Sequence, residues 1–121
     1  MKFKNLEEFN NLQNKNTIKK VKIMEKIIFN EDFNEDDLLN TIHLYINLNS
    51  LEVFFEVSYD KLNLFYTFIN VLSNIVCDVV IIKIELKKNI IVFKKYNKMY
   101  YYNNQRKKQI WKTLRVWENN N

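Results

Sequence analysis

No position in this chain of 121 residues is Gly or Pro. Gly enters positive φ without steric cost and Pro presets the first corner of a turn, so other residues must make every reversal of this chain. Asn tolerates positive φ best among the rest, and there are 20 of them. The absence also bears on function. A Gly-rich loop cradling phosphate cannot be built, which excludes nucleotide hydrolysis by that route.

Ala is missing as well, and Lys outnumbers Arg 17 to 2. The missing residues have G- and C-rich codons and the abundant ones A- and T-rich codons. An AT-rich genome is the simplest source, whether of an organelle, a large virus, a linear plasmid or an endosymbiont. Basic residues therefore have to be judged by where they sit. Residues 1–60 hold 7 Lys against 11 acids, a net of −4, whereas residues 61–121 hold 12 basic residues against 3 acids, a net of +9.

Hydrophobic residues make up 47% of the chain, enough for one buried core. Leu6, Phe9 and Leu12, then Ile18, Val21, Met24 and Ile28, suggest a helix over residues 6–29 broken near 14–16. Its second half also fits a strand, because Val21, Ile23, Ile27 and Phe29 alternate. Asn34 followed by Glu35, Asp36 and Asp37 signals a capped helix start, with Leu38, Leu39, Ile42, Tyr45 and Ile46 on one face. Alternation of Leu51, Val53, Phe55 and Val57 predicts a strand with one buried face. Asp60 can cap the next helix, whose stripe is Leu62, Phe65, Ile69, Leu72 and Val76.

Val79 to Leu86 is nearly continuous and β-branched, as in a strand covered on both faces. Lys87, Lys88 and Asn89 make a turn, Ile90 to Tyr96 a further strand, and Asn97 with Lys98 a tight turn into Met99–Tyr102. Gln105 to Trp117 is ambiguous: as a helix it aligns Ile110, Leu114 and Trp117, as a strand Ile110, Lys112, Leu114 and Val116, and helix near 105–108 followed by extended chain is favoured. The fold class expected is α+β: a ferredoxin-like split β-α-β sheet in the order strand, helix, strand, strand, with its core in residues 51–103. It divides the chain into a helical N-terminal extension, 1–50, and an α+β core with a basic hairpin and tail, 51–121.

Residues 61–83 carry only one charge between their flanking lysines, Asp78, and match the length of a bilayer span. Asp78, Asn63, Asn70, Ser73 and Asn74 make such a span costly, and the change of period favours helix then strand. The N-terminus has neither the apolar core of a secretory signal nor the Arg-rich pattern of a transit peptide. His43 and Cys77 are single, so no disulfide framework or thiolate metal cluster is expected, and no metal or cofactor. The neighbours of His43 make it one residue of an amphipathic helix, and no enzymatic activity is expected.

Lys83, Lys87, Lys88, Lys94, Lys95, Lys98, Arg106, Lys107, Lys108, Lys112 and Arg115 stand against one acid, Glu85. Phe93, Tyr96, Tyr100, Tyr101, Tyr102, Trp111 and Trp117 are interleaved with them. Cations that hold phosphates beside aromatic faces that stack on unpaired bases are the equipment of RNA binding.

Over residues 51–117 the chain resembles the small-subunit ribosomal protein ten family, as encoded in some protist mitochondrial genomes. Glu56, Val57, Ser58, Tyr59, Asp60, Lys61 and Leu62 match its strand running into an aromatic-Asp and a helix. Ile84 to Lys88 stand where its strand ends before a basic loop, and Ile91, Val92, Phe93 and Lys94 where its second strand lies. Gln105 to Ile110, then Lys112 and Thr113, follow in its order. The family's loop prolines, its Ser-Pro-His and its closing helix and strand are missing. The resemblance implies a non-catalytic protein that binds ribosomal RNA through a basic hairpin, in the mitochondrial matrix if organelle-encoded and otherwise in the cytoplasm. Neighbouring proteins are expected to meet residues 1–50, and neither a small-molecule substrate nor a membrane is expected as partner. Alternatives are a small viral or plasmid interaction protein acting by protein contact and a single-pass membrane subunit of an organelle complex.

Overall fold

The computed structural model describes residues 1–72, 75, 77–99 and 107–114, with 96–99 and 107–114 described at the level of the backbone. These residues form an α+β fold with a seven-stranded mixed sheet and, among the described residues, three α-helices. The strands are β1 (Lys2–Phe3), β2 (Lys20–Ile23), β3 (Ile27–Phe29), β4 (Ser50–Val57), β5 (Val79–Leu86), β6 (Asn89–Met99) and β7 (Lys107–Leu114). The helices are α1 (Leu6–Asn11), α2 (Glu35–Leu44) and α3 (Leu62–Leu72). Across the sheet the order is β1, β2, β4, β5, β6, β7, with β3 also on β4. The strands from β1 to β5 are parallel to their neighbours, and β6 and β7 are antiparallel additions.

The N-terminal 50 residues are not the helical extension expected. They supply three strands to the same sheet, and Phe3, Phe9, Val21, Ile23, Ile27 and Phe29 lie in one core with Phe55 and Phe65. The reason is the alternation of Val21, Ile23, Ile27 and Phe29, which buries one face of a strand and suits a helix less well. Only six residues of the first segment are helical. Asn5 caps them by accepting the Glu8 amide at 3.0 Å. Chain direction then changes at Asn14, which takes φ 60° without Gly, and a short 3₁₀ turn follows at Lys15–Thr17.

β2 and β3 are one strand interrupted. Lys22 pairs with Glu52 and Ile27 with Phe55, so four intervening residues oppose two. The surplus is a bulge that carries Lys26, and its amides are satisfied by β1: Met24 and Glu25 donate to the Phe3 and Lys4 carbonyls at 2.8 Å.

The strand–helix–strand–strand order of β4, α3, β5 and β6 is as the sequence suggests. A split unit leaves one strand between its parallel pair, whereas β4 and β5 are direct neighbours over seven register pairs. Asn34 caps α2 as expected, accepting the Asp37 amide at 3.1 Å. Leu38, Ile42 and Tyr45 are buried, but Ile46 lies beyond the helix and is 73% exposed. A 3₁₀ turn, Tyr59–Lys61, stands between β4 and α3, and α3 ends at Leu72. Among the described residues no helix is long and apolar enough to cross a membrane.

Of the residues expected in the core, Val53, Phe55, Val57, Phe65, Ile69, Leu72 and Leu86 are buried, whereas Ile81 is half-buried. That exception extends to a whole face. Along β5 buried and half-buried residues alternate, so one face of this strand is covered and not both. The helices supply the cover: Phe65 and Phe68 of α3 lie 5.2 and 5.7 Å from Phe55, and Phe9 of α1 stacks at 4.6 Å on Tyr45 just beyond α2.

Tyr45 closes this layer at its N-terminal end, its hydroxyl donating to the Phe9 carbonyl. Burial pushes its pKa up to about 12. Because the folded pKa lies above the unfolded one, the phenol's contribution is complete below pH 10 and is lost as pH rises towards 12. Tyr45→Phe should cost about 1 kcal/mol at neutral pH, since it leaves a buried carbonyl unpaired. The variant's stability deficit should then shrink between pH 10 and 12, as read by urea melts across that window. A deficit unchanged with pH would mean that this phenol ionises freely in the fold.

Candidate nucleic-acid interface

β5, β6 and β7 form an antiparallel meander at one side of the sheet, and seven of the eleven candidate basic residues fall on its strands. Lys87 and Lys88 form the turn between β5 and β6, with Leu86 paired to Asn89. A two-residue hairpin loop with positive φ at its first corner normally selects Gly. Here Lys87 takes that place at φ 57°, and its ammonium lies 4.8 Å from the centre of the Tyr59 ring. A cation over an aromatic face contributes roughly 0.5–1 kcal/mol at an exposed site, which offsets part of the backbone strain. The basic loop that the resemblance places after Leu86 is thus a tight turn.

β6 continues through Asn97 and Lys98 without reversing, contrary to the turn expected there, and β7 begins at Lys107 as strand where helix was favoured. Both results follow from pairing, because eight register pairs hold β6 against β7. Arg106, Arg115, Gln105, Tyr100, Tyr101, Tyr102 and Trp117 lie outside the described residues.

That register brings cations together. Lys94 pairs with Lys112 and Lys98 with Lys108, each directly across the ladder, while Lys107 falls opposite Met99. Like charges directly opposed on antiparallel strands are destabilising by a few tenths to about 1 kcal/mol per pair. No acid occupies any position of β6 or β7.

Two candidates stand apart. Lys83 is on β5 with its ammonium 3.7 Å from Glu52, a carboxylate already held by Lys22 at 3.0 Å. It therefore belongs to an internal ion-pair network. Lys95 is only 1% exposed and cannot reach a phosphate from that position. Strand alternation explains it: Lys95 pairs with Val80 on the covered face, whereas Lys94, one residue earlier, pairs with half-buried Ile81. Burial lowers the Lys95 pKa from 10.5, so the charged form is disfavoured by folding. Lys95→Met should accordingly be neutral or stabilising by about 1 kcal/mol near neutral pH. Its advantage over the parent should narrow as pH rises towards and past 10.5, because the amine then loses its proton in the unfolded chain as well. Thermal melts at pH 7 and pH 10 read both, and a strongly destabilised variant would mean that the ammonium's contacts hold this corner of the core together.

His43 is exposed near the end of α2, and Cys77 is buried with its thiol bonded to the Val79 carbonyl and its pKa raised by burial. Among the described residues no three His, Cys, Asp or Glu side chains gather as metal ligands. Sequence reasoning missed Lys26, which reaches from the bulge to Glu85 at 2.6 Å and Glu56 at 3.7 Å. The Glu85 hydrogen bond holds its pKa above the ordinary lysine value. The only sequence signal for it was the break in alternation between Ile23 and Ile27.

What the geometry defines is an α+β protein whose mixed sheet ends in an acid-free, lysine-rich antiparallel ribbon. Neither a family model, nor a curated protein, nor a solved structure matches the chain.

Proposed function

We propose that this is a non-catalytic RNA-binding protein that holds phosphates along the β6–β7 ribbon. The observation that carries the reading is the register of that ribbon, which opposes Lys94 to Lys112 and Lys98 to Lys108 with no acid on either strand. Free in solution such an arrangement costs stability, and a polyanion converts the cost into binding as condensed counterions leave. RNA is favoured over a uniform duplex because Tyr96, of a residue type that stacks on unpaired bases, stands between Lys94 and Lys98 at the same parity of β6, whereas Phe93 packs against the core. The resemblance of residues 51–117 to the ribosomal protein ten family makes structured ribosomal RNA the natural RNA to test.

Fluorescence anisotropy with a labelled RNA carrying a single-stranded loop, titrated from low to physiological salt, tests the reading. Four ribbon contacts should give a slope of log affinity against log salt of about −3, at about −0.7 per contact. Absence of binding at low salt, or a slope near zero, would overturn it.

A further inference from the structure

β3, β4 and β5 run parallel, so their carboxyl ends, Phe29, Val57 and Leu86, lie side by side at one end of the sheet. The residue after each is polar: Asn30, Ser58 and Lys87. Ligands of open sheets with parallel strands bind just outside these ends. Here the three residues border a cavity of about 320 Å³, lined also by Ile28, Val57 and Glu56. That volume is at the low end of ligand cavities, about 300–1,000 Å³, and suits one planar group with its substituents better than a longer stretch of chain.

The polar groups of the cavity are of different kinds. Oδ1 of Asn30 accepts the Asp32 amide at 3.0 Å, which leaves the Nδ2 hydrogens as donors. Glu56 is an acceptor with a loose partner, the Lys26 ammonium at 3.7 Å, which Glu85 holds more closely at 2.6 Å. The Ser58 hydroxyl is engaged by the Asp60 carboxylate. Lys87 supplies the cation. Among the described residues no carboxylate pairs with it, and its ammonium rests 4.8 Å from the centre of the Tyr59 ring. The backbone of Lys87 is a second signal, because φ 57° is a conformation that Asn takes at lower cost and that this chain gives to Asn at position 14. Strain of this kind gathers at ligand sites.

We infer that this cavity receives one unpaired guanine nucleotide of the RNA held by the β6–β7 ribbon, an inference that rests on the RNA reading above. The Watson–Crick edge of guanine sets two adjacent donors, N1–H and the amino group, beside one acceptor, O6. Glu56 offers two carboxylate oxygens to the donors, and Asn30 offers its amide hydrogens to O6. The other bases match less well. Uracil has a single donor there, and adenine and cytosine set a ring nitrogen acceptor beside their amino group, which would oppose the second carboxylate oxygen. Ile28, 48% exposed, supplies an apolar surface for the base plane, and Lys87 takes the phosphate from the position at which Tyr59 holds it. Six residues of β6 separate Lys88 from Lys94, roughly 20 Å at about 3.3 Å each. A single-stranded site of about 4–16 nucleotides spans that gap, so one strand can meet both ribbon and cavity.

The test is fluorescence anisotropy of the full chain with labelled, unstructured RNAs of about 12 nucleotides, uridine throughout except for a central guanosine, adenosine or uridine. The guanosine strand should bind about 5- to 150-fold more tightly than the other two, the discrimination that one good bidentate base contact gives. Glu56→Gln should bind all three as the parent binds uridine, with the salt slope unchanged. It should fold normally, because Lys26 keeps Glu85 at 2.6 Å. Lys87→Asn should flatten the slope by about 0.7, one phosphate contact on a single strand, and melt no lower than the parent because its backbone is relieved. A parent indifferent to guanosine, or a Glu56→Gln variant that keeps the preference, overturns the inference and leaves the ribbon standing as an RNA site. If no RNA binds at low salt, the RNA reading itself falls, and guanosine monophosphate alone decides the cavity. Shifts of the Asn30 and Lys87 amide signals in the parent, absent from Glu56→Gln, would then uphold a guanine nucleotide site, and no shifts would overturn it.

Discussion

Phe55→Ala is expected to remove most of the stability of this protein. Phe55 is fully buried at the centre of β4, with the rings of Phe65, Phe33 and Phe68 between 5.2 and 5.7 Å away and that of Phe29 at 6.5 Å. These rings come from β3, from the loop before α2, from β4 and from α3, so a void here touches every layer of the fold. Truncating a buried Phe costs about 3–5 kcal/mol through lost transfer energy and the cavity left behind. A domain of this size is stable by about 5–15 kcal/mol, so the variant should unfold at a urea midpoint lower by roughly 2 M, or fail to fold at 25 °C. Phe54→Ala is the control one residue away, on the open face. Because Phe54 is half-buried where Phe55 is fully buried, it should cost less than half as much. Equal costs for the two would show that the sheet is covered on both faces within one chain.

The contrast between these neighbours shows what the sequence revealed and what it hid. Alternation along Leu51 to Val57 identified the buried face of β4, and the Asn34 cap and the α3 stripe were equally legible, because each is written in adjacent residues. The role of residues 20–29 was not. Two strands of four and three residues separated by a bulge carry too few turns of either period to decide between helix and strand, and their parallel pairing to β4 depends on residues some 30 positions away. β5 misled for the opposite reason. Half-buried Val79 and Ile81 are as β-branched as a doubly covered strand requires, and only topology reveals that the helices lie on one side. Of the candidate site, the cluster of lysines was legible but its partition was not. Which lysines are opposed, which is buried and which is tied to Glu52 depends on register, and Lys94 and Lys95 differ by one residue and by which face of the sheet they share.

Replacing Lys94, Lys98, Lys108 and Lys112 together by Gln should change RNA affinity and protein stability in opposite directions. If each of the four neutralises one phosphate, the salt slope flattens by about 3 units and affinity near 0.1 M salt falls roughly 10²- to 10³-fold. The same change relieves two like-charge pairs across the β6–β7 ladder, Lys94 with Lys112 and Lys98 with Lys108. At a few tenths to about 1 kcal/mol per pair, the free variant should be more stable by about 0.5–2 kcal/mol. Lys2, Lys4, Lys19 and Lys20 are exposed at the opposite side of the sheet and supply a charge-matched control. Changed to Gln, they should move the slope by less than about 1 unit, because a screened charge a sheet's width away contributes little. The two readouts separate the explanations of the ribbon. Weaker binding with a gain in stability is what a surface arranged for a polyanion gives, whereas weaker binding with a loss of stability would mean that these lysines serve the fold and reach RNA only through it. Equal binding by the ribbon variant and the control would remove the ribbon as the site and leave contact with another protein as the better account of the lysines.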